Sequence, residues 1–191
     1  MTMSKPSTGA KHRLLVSTAM LGVLCLGYGR RAYAACSGAG GTYNCTGALT
    51  ATQTLSSGTL SVTTTAPFSI STTAGDAFDL TATTGSLTFT DNNTSTITGF
   101  GSAINATNNG SGDLMITTTG TVTGNGAVFP NAGIYAKNYG GNLTVNTATV
   151  SGGRYGIYAK NYGSGALSIT ATGTVTGSGA YGVSADNHAL P

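Results

Sequence analysis

Tryptophan and glutamate are absent from this 191-residue sequence, and only 7% of its residues carry a charge. Enzymes that hydrolyse polysaccharides place paired carboxylates on either side of the bond they cleave. The acidic residues here are five aspartates, and only Asp76 and Asp79 lie close together along the chain. We expect these two to be polar surface residues, so the sequence predicts a protein that is not an enzyme.

Histidine and cysteine are also scarce. The two histidines are His12, near the start, and His188, near the end, so no Ser/His/Asp set is recognisable. Cys36 and Cys45 have no histidine nearby and lack CxxC spacing, which disfavours a metal or redox site. A phosphate-binding loop and the calcium-binding nonapeptide are missing as well. We predict no catalytic, cofactor-binding or metal-ligating residues.

Residues 1–34 have the organisation of a secretory signal peptide. A basic start precedes an apolar run over residues 14–26, which is too short to span a bilayer. Ala32-Tyr33-Ala34 then fits the pattern of small residues at a cleavage site. We predict cleavage between Ala34 and Ala35. Lipidation of Cys36 is the alternative, which Tyr33 disfavours because that position requires an aliphatic residue.

Removal of the signal peptide changes both the cysteine content and the charge. Cys36 and Cys45 remain, and in an exported glycine-rich segment they predict a disulfide that closes residues 35–47. Three basic and five acidic residues remain, so the net charge becomes −2. This balance offers no basic patch for nucleic acid.

Glycine, threonine, serine, asparagine and alanine dominate residues 48–191, and they recur with a period. The octapeptide GIYAKNYG occurs at 133–140 and again, unchanged, at 156–163. Three apolar positions per unit recur on either side of it. The first is filled by Phe78, Ile104, Ile134, Ile157 and Val183, the second by Leu87/Phe89, Leu114/Ile116, Leu143/Val145 and Leu167/Ile169, and the third by the aliphatic residue of Thr-Ile/Val-Thr/Ser-Gly phrases. A degenerate earlier copy runs through Leu49, Leu60/Val62 and Ile70.

This pattern predicts a right-handed parallel β-helix of about five coils, each with three short strands. Each apolar position lies in a short run that alternates apolar and polar residues, as half-buried strands do. One unit cannot bury its apolar face alone, but stacked coils bury a continuous core. By this alternation Ile157 faces the core and Tyr158 faces outward.

Asparagine recurs four residues after the first apolar position, at Asn108, Asn138, Asn161 and Asn187. Asparagine tolerates the backbone of a tight corner, and its amides can hydrogen-bond from coil to coil. The alternatives are a stacked side-chain ladder and a row of ordinary turn residues, and both are structural.

The chain resembles the N-terminal passenger region of Gram-negative autotransporters. The shared features are a signal peptide, a cysteine pair near the mature start, and coils with phrases such as Thr-Val-Thr-Gly and Gly-Ile-Tyr-Ala. Filamentous adhesins and other β-helix proteins share these phrases. The resemblance implies export through the inner membrane, passage through an outer-membrane β-barrel, and display or release at the cell surface. A C-terminal series of barrel strands is missing from the sequence, so we expect a passenger truncated before the barrel.

Tyrosine and lysine recur together on the two copies of the octapeptide, as Tyr135, Lys137, Tyr139, Tyr158, Lys160 and Tyr162. If these side chains point outward, they form a row of exposed aromatic residues suited to recognition of a host protein or glycan. Duplication of a repeat is the other explanation, because it copies tyrosines with everything else. We expect a non-catalytic, adhesin-like surface segment; the alternative is a β-helix protein that binds or degrades polysaccharide.

The last unit starts at Gly182, and its second and third strands are missing before Pro191. An unpaired strand edge can template pairing with another chain. We therefore expect end-to-end self-association when this chain is expressed alone. The other expected partners are the export machinery and, in a full-length form, the outer-membrane barrel.

Overall fold

The computed structural model describes residues 35–188. The predicted signal peptide, Ala34 at the predicted cleavage site, and residues 189–191 lie outside the described residues. Within 35–188 the regular structure is all β, in strands β1 to β17. No helix in that range has the length and hydropathy to cross a membrane.

Most strands are arranged in three columns of parallel neighbours, as the repeat predicts. The first column is a six-stranded sheet of β3 (Gln53–Ser57), β5 (Phe78–Ala82), β8 (Ile104–Asn108), β11 (Ala132–Asn138), β14 (Tyr155–Asn161) and β17 (Val183–Asn187). The second column contains the start of β4 (Leu60–Ser71), then β6 (Leu87–Asp91), β9 (Leu114–Thr118), β12 (Leu143–Thr147) and β15 (Leu167–Ala171). The third contains the end of β4, then β7 (Thr96–Gly99), β10 (Thr121–Gly124), β13 (Thr149–Gly152) and β16 (Val175–Gly177).

The chain therefore winds as a parallel β-solenoid of about five turns. Coil 1 contains β3 and β4, and coils 2 to 5 contain β5–β7, β8–β10, β11–β13 and β14–β16. β4 runs through two columns because it turns the corner at Ala66–Pro67, where the pairing with β2 skips two residues.

The apolar positions of the repeat form the core, as predicted. Ile104, Ile134 and Ile157 are aligned in the first column and are fully buried. Leu114 and Leu143 are paired in the second column, and Val122 and Val150 in the third, all of them fully buried. In coils 1 and 2 the Phe78 ring packs between two others. Its centroid lies 5.9 Å from that of Phe68 and 4.9 Å from that of Phe89.

Glycine precedes Ile134 and Ile157 in the first column because neighbouring strands approach closely there. A Cβ atom added at Gly133 would collide with the Val150 side chain of the same coil and with the Gly156 carbonyl of the next. The Gly-Ile phrase is thus a packing requirement of the stacked coils.

The N-terminal end is an antiparallel hairpin of β1 (Ala35–Ala39) and β2 (Thr42–Leu49). Gly40 and Gly41 form its turn with positive φ values of 62° and 87°. Cys36 and Cys45 are direct partners in the hairpin and form a disulfide, the pair that the sequence predicts. β2 also pairs in parallel with β4, so the expected boundary between residues 47 and 48 falls inside a strand of the sheet.

One assignment in the degenerate first copy of the repeat is wrong. Leu49 pairs with Ile70 in the third column, and it does not occupy the first apolar position. Gln53 and Leu55 take that place, beneath Phe78 and Leu80. The error arises because a glutamine fills the position that is apolar in every later coil.

Candidate contact surface

The six predicted contact residues lie together on the outside of the first column, in coils 4 and 5. Their strands pair in register, so Tyr135 lies beside Tyr158 and Lys137 beside Lys160. The rings of Tyr135 and Tyr158 are parallel, with centroids 5.2 Å apart. Those of Tyr139 and Tyr162 are stacked at 5.0 Å. We call these residues the tyrosine–lysine face: Tyr135, Lys137, Tyr139, Tyr158, Lys160 and Tyr162.

Tyr135 and Tyr158 point out of the coil but are not exposed, which corrects the expectation of a fully open aromatic row. They are only 8% and 9% exposed. With Ala132 and Tyr155 they form a second apolar cluster outside the main core. Phe129, in the connection between coils 3 and 4, packs edge-on against Tyr158 with ring centroids 5.5 Å apart.

A second group of aromatic residues, with one arginine, borders this cluster. It lies where the third column turns into the first, and we call it the aromatic corner: Phe129, Arg154, Tyr155 and Tyr181. Phe129 and Tyr181 are 50% and 65% exposed. The Arg154 guanidinium lies 5.9 Å from the centre of the Phe129 ring and 5.3 Å from that of Tyr155. The available sequence signal is an aromatic residue in this turn in successive coils, as Phe100, Phe129, Tyr155 and Tyr181.

The opposite edge of the tyrosine–lysine face is open to solvent. Tyr139 is 47% exposed, and Tyr162 stacks on it. His188 continues this row, parallel to Tyr162 with ring centroids 5.4 Å apart. Asp186 Oδ2 lies 2.6 Å from His188 Nε2 and 3.5 Å from the Lys160 ammonium nitrogen.

The lysines lie between the two tyrosine rows. The Lys160 ammonium is 5.6 Å from the centre of the Tyr158 ring, and that of Lys137 is 6.0 Å from the ring centres of Tyr135 and Tyr162. Hydrogen bonding to the Tyr158 phenol, against a smaller effect of burial, raises the Lys160 pKa. Burial lowers the Lys137 pKa, but interactions with the Tyr135 and Tyr139 phenols outweigh it and raise the pKa overall. Both lysines are therefore positively charged at neutral pH.

The predicted asparagines occupy one corner of the solenoid, and three are joined by hydrogen bonds. The Asn108 amide donates to Asn138 Oδ1 at 2.8 Å, and the Asn138 amide donates to Asn161 Oδ1 at 3.0 Å. All three are completely buried. Asn187 is aligned with Asn161 in register, but it is exposed and no hydrogen bond joins the two. The column is a structural ladder over three coils.

The aspartates are spread over several coils, and four of the five interact with neighbouring groups through hydrogen bonds or ion pairs. Asp76 accepts hydrogen bonds from the Ser102 amide at 2.6 Å and from the Asn105 side chain at 2.9 Å. Asp91 ends β6 and is completely buried, and the Ser95 hydroxyl donates a hydrogen bond to it. Over residues 35–188, no three His, Cys or Asp side chains converge as metal ligands would.

The class that this fold defines is the parallel β-solenoid. Comparisons with protein-family models, curated proteins and solved structures return no match for this chain.

Proposed function

We propose that this chain is an exported, non-catalytic, adhesin-like segment that displays a β-solenoid at a bacterial cell surface. The observation that carries the proposal is the contiguous surface formed by the tyrosine–lysine face and the aromatic corner. Clustered tyrosine, phenylalanine and arginine are typical of recognition surfaces, because they combine large contact area with polar ends. Exposed apolar patches on soluble proteins commonly mark binding sites.

The route to the surface is inferred from the sequence. The leader, the cysteine pair and the repeat phrases support an autotransporter passenger, with the export machinery and an outer-membrane barrel as partners. A mature protein that begins at Ala35, measured by mass spectrometry after export, is the first expected result. A retained leader or a lipid on Cys36 would contradict this route.

The adhesive role is tested by displaying the chain on an outer-membrane autotransporter barrel and counting bacteria bound to host cells. We expect more bound bacteria than with the barrel alone. Replacing Tyr139 and Tyr162 by serine removes the solvent-open ring pair and is expected to reduce this gain. Equal adherence with and without the chain, at equal surface display, would sink the proposal.

The surroundings of the aspartates do not favour the alternative role, degradation of polysaccharide. Both carboxylate oxygens of Asp76 already accept hydrogen bonds, and Asp91 is enclosed in the core. A general acid or base needs direct access to its substrate. We expect no new reducing ends after incubation with pectin or alginate, and turnover that depends on Asp76 or Asp79 would overturn this view.

A further inference from the structure

We propose that the tyrosine–lysine face and the aromatic corner together bind a linear acidic polysaccharide that runs along the solenoid axis over coils 4 and 5. This inference rests on the proposed adhesive function and names its ligand class. The shared chemistry of the ligand is a repeating sugar that carries carboxylate or sulfate groups.

Positive charge is unevenly distributed over residues 35–188. Lys137, Arg154 and Lys160 are the only lysine and arginine residues in 35–188, and all three lie on this surface. The same range contains five aspartates, so residues 35–188 are net negative although this one surface holds all of their lysine and arginine residues. Within the described residues, Lys160 pairs with Asp186, whereas Lys137 and Arg154 have no carboxylate within ion-pair distance. An external anion supplies the missing partner.

The Arg154 side chain is preorganised by its aromatic neighbours. Its guanidinium packs near the rings of Phe129 and Tyr155, and its Nε atom is buried without a hydrogen-bond partner. Aromatic packing restricts the rotamers of a long side chain, which lowers the entropy lost on binding. A planar guanidinium in a restricted position suits two parallel hydrogen bonds to a carboxylate or sulfate.

The outer surface of the first column repeats from coil 4 to coil 5. Coils 4 and 5 present the same solvent-accessible pair in register, Lys137 with Tyr139 and Lys160 with Tyr162, and the rings of Tyr139 and Tyr162 lie 5.0 Å apart. A polymer with a regular repeat meets the same side chains in successive coils, whereas the surface of a folded protein has no such repeat. Nucleic acid fits less well, because its dense phosphates are usually met by many more cations.

The extent of the binding region follows from the change of surface chemistry along the first column. In coils 2 and 3 the position of Tyr135 is occupied by Asp79 and Asn105. Asn105 supplies neither a ring nor a cation in coil 3, and Asp79 in coil 2 would repel an acidic chain, so the binding region ends above coil 3.

The test is calorimetric titration of the purified chain with polygalacturonate, dextran sulfate and neutral dextran. We expect binding of one or both acidic polymers, weakened by salt, and none of dextran. The double variant K137Q/K160Q is expected to lower the affinity about tenfold, since two exposed charge pairs are removed. The control T88D/S168D has the same net charge but changes the second column, and its affinity should match the unchanged chain.

A second pair of variants separates charge from geometry at Arg154. R154Q removes the positive charge. R154K keeps the charge but loses the planar set of guanidinium donors. We expect both variants to bind the acidic polymer more weakly than the unchanged chain, because the guanidinium makes two parallel hydrogen bonds to the anion. Equal affinity in K137Q/K160Q and the unchanged chain, equal binding of dextran, or binding only to DNA or to a host matrix protein would each overturn the proposal. Polysaccharide binding in a chain that fails to confer adherence would overturn the adhesive function alone.

Discussion

Asn138 makes more hydrogen bonds than the other asparagines of the ladder. Replacing this one residue therefore tests whether the ladder stabilises the fold. Its amide donates to the carbonyls of Gly141 and Asn142 and to Asn161, while its Oδ1 accepts from Asn108. Asn138→Ala leaves these buried groups without partners, which costs roughly 1–3 kcal/mol. We expect the midpoint of denaturant unfolding to fall accordingly.

Asn146 provides a matched control for this substitution. It lies in β12 of the same coil, is half-buried, and its side chain makes no hydrogen bond within the described residues. Asn146→Ala is expected to change stability by less than about 0.5 kcal/mol. Similar losses in both variants would mean that the ladder contributes nothing specific.

Asp79 gives a pH-dependent prediction, also at the scale of one residue. Burial and, secondarily, the charge of Asp76 raise the Asp79 pKa. A raised pKa in the folded state means that ionisation of Asp79 destabilises the fold at neutral pH. Asp79→Asn, which copies Asn105 in the next coil, should therefore raise the melting temperature at pH 7. The gain should shrink as the pH falls through the folded-state pKa and vanish below the unfolded value of about 3.9.

Asp76→Asn is the control and should have the opposite effect at pH 7. Its carboxylate accepts from the Ser102 amide and the Asn105 side chain, and an amide can serve only one of these donors. A rise in melting temperature for both variants would show that general charge repulsion, and not the local environment of Asp79, sets the effect.

At the scale of an element, the disulfide stabilises the hairpin that covers the first coil. Cys36 and Cys45 close a short loop in β1 and β2, and β2 pairs with β4. C36S/C45S is expected to lower the free energy of unfolding by about 2–3 kcal/mol, through the larger entropy of the unfolded chain. Denaturant unfolding measures the loss.

A reductant supplies the control for this prediction. Reduction of the unchanged protein should reproduce the loss, and it should have no effect on C36S/C45S. If reduction leaves the unchanged protein as stable as before, the disulfide either does not form or does not stabilise the hairpin.

At the scale of the whole molecule, coil 5 and the strand β17 above it present apolar inward-facing residues to solvent within the described residues. β15, β16 and β17 are the last strands of their columns. Leu167, Ile169 and Val175 are only partly buried, and Val183 is 44% exposed. An apolar strand edge of this kind pairs readily with another chain. We expect the average mass from light scattering to increase with protein concentration.

Ile169→Lys places a charge at this inward position and should suppress the increase. Ser168→Lys adds the same charge one residue earlier, on the outer side of β15, and should suppress it less. A protein that remains monomeric at all concentrations, or equal suppression by both variants, would exclude association through the coil 5 interior.

The sequence alone determined the register of the coils from Phe78 onward. The spacing of Ile104, Ile134 and Ile157 is sufficient, because a one-residue slip would move every apolar residue to the outside. The same reasoning fails at coil 1, where Gln53 occupies an apolar position. In coil 1 the register is set by the pairing of β3 with β5 along its whole length, since Gln53 by itself does not mark the inward position.

The surroundings of the tyrosines were decided only by the tertiary structure. Alternation correctly places Tyr135 and Tyr158 on the outer side of their strands. It cannot show that Phe129, from the preceding connection, and Tyr155 cover them. The burial of Asp91 cannot be read from the sequence for the same reason. The Thr64 and Ser95 hydroxyls, which donate hydrogen bonds to it, lie outside the strand that contains it. Strand periodicity is local and can be read along the chain, whereas the exposure of an outer side chain depends on which distant segment packs against it.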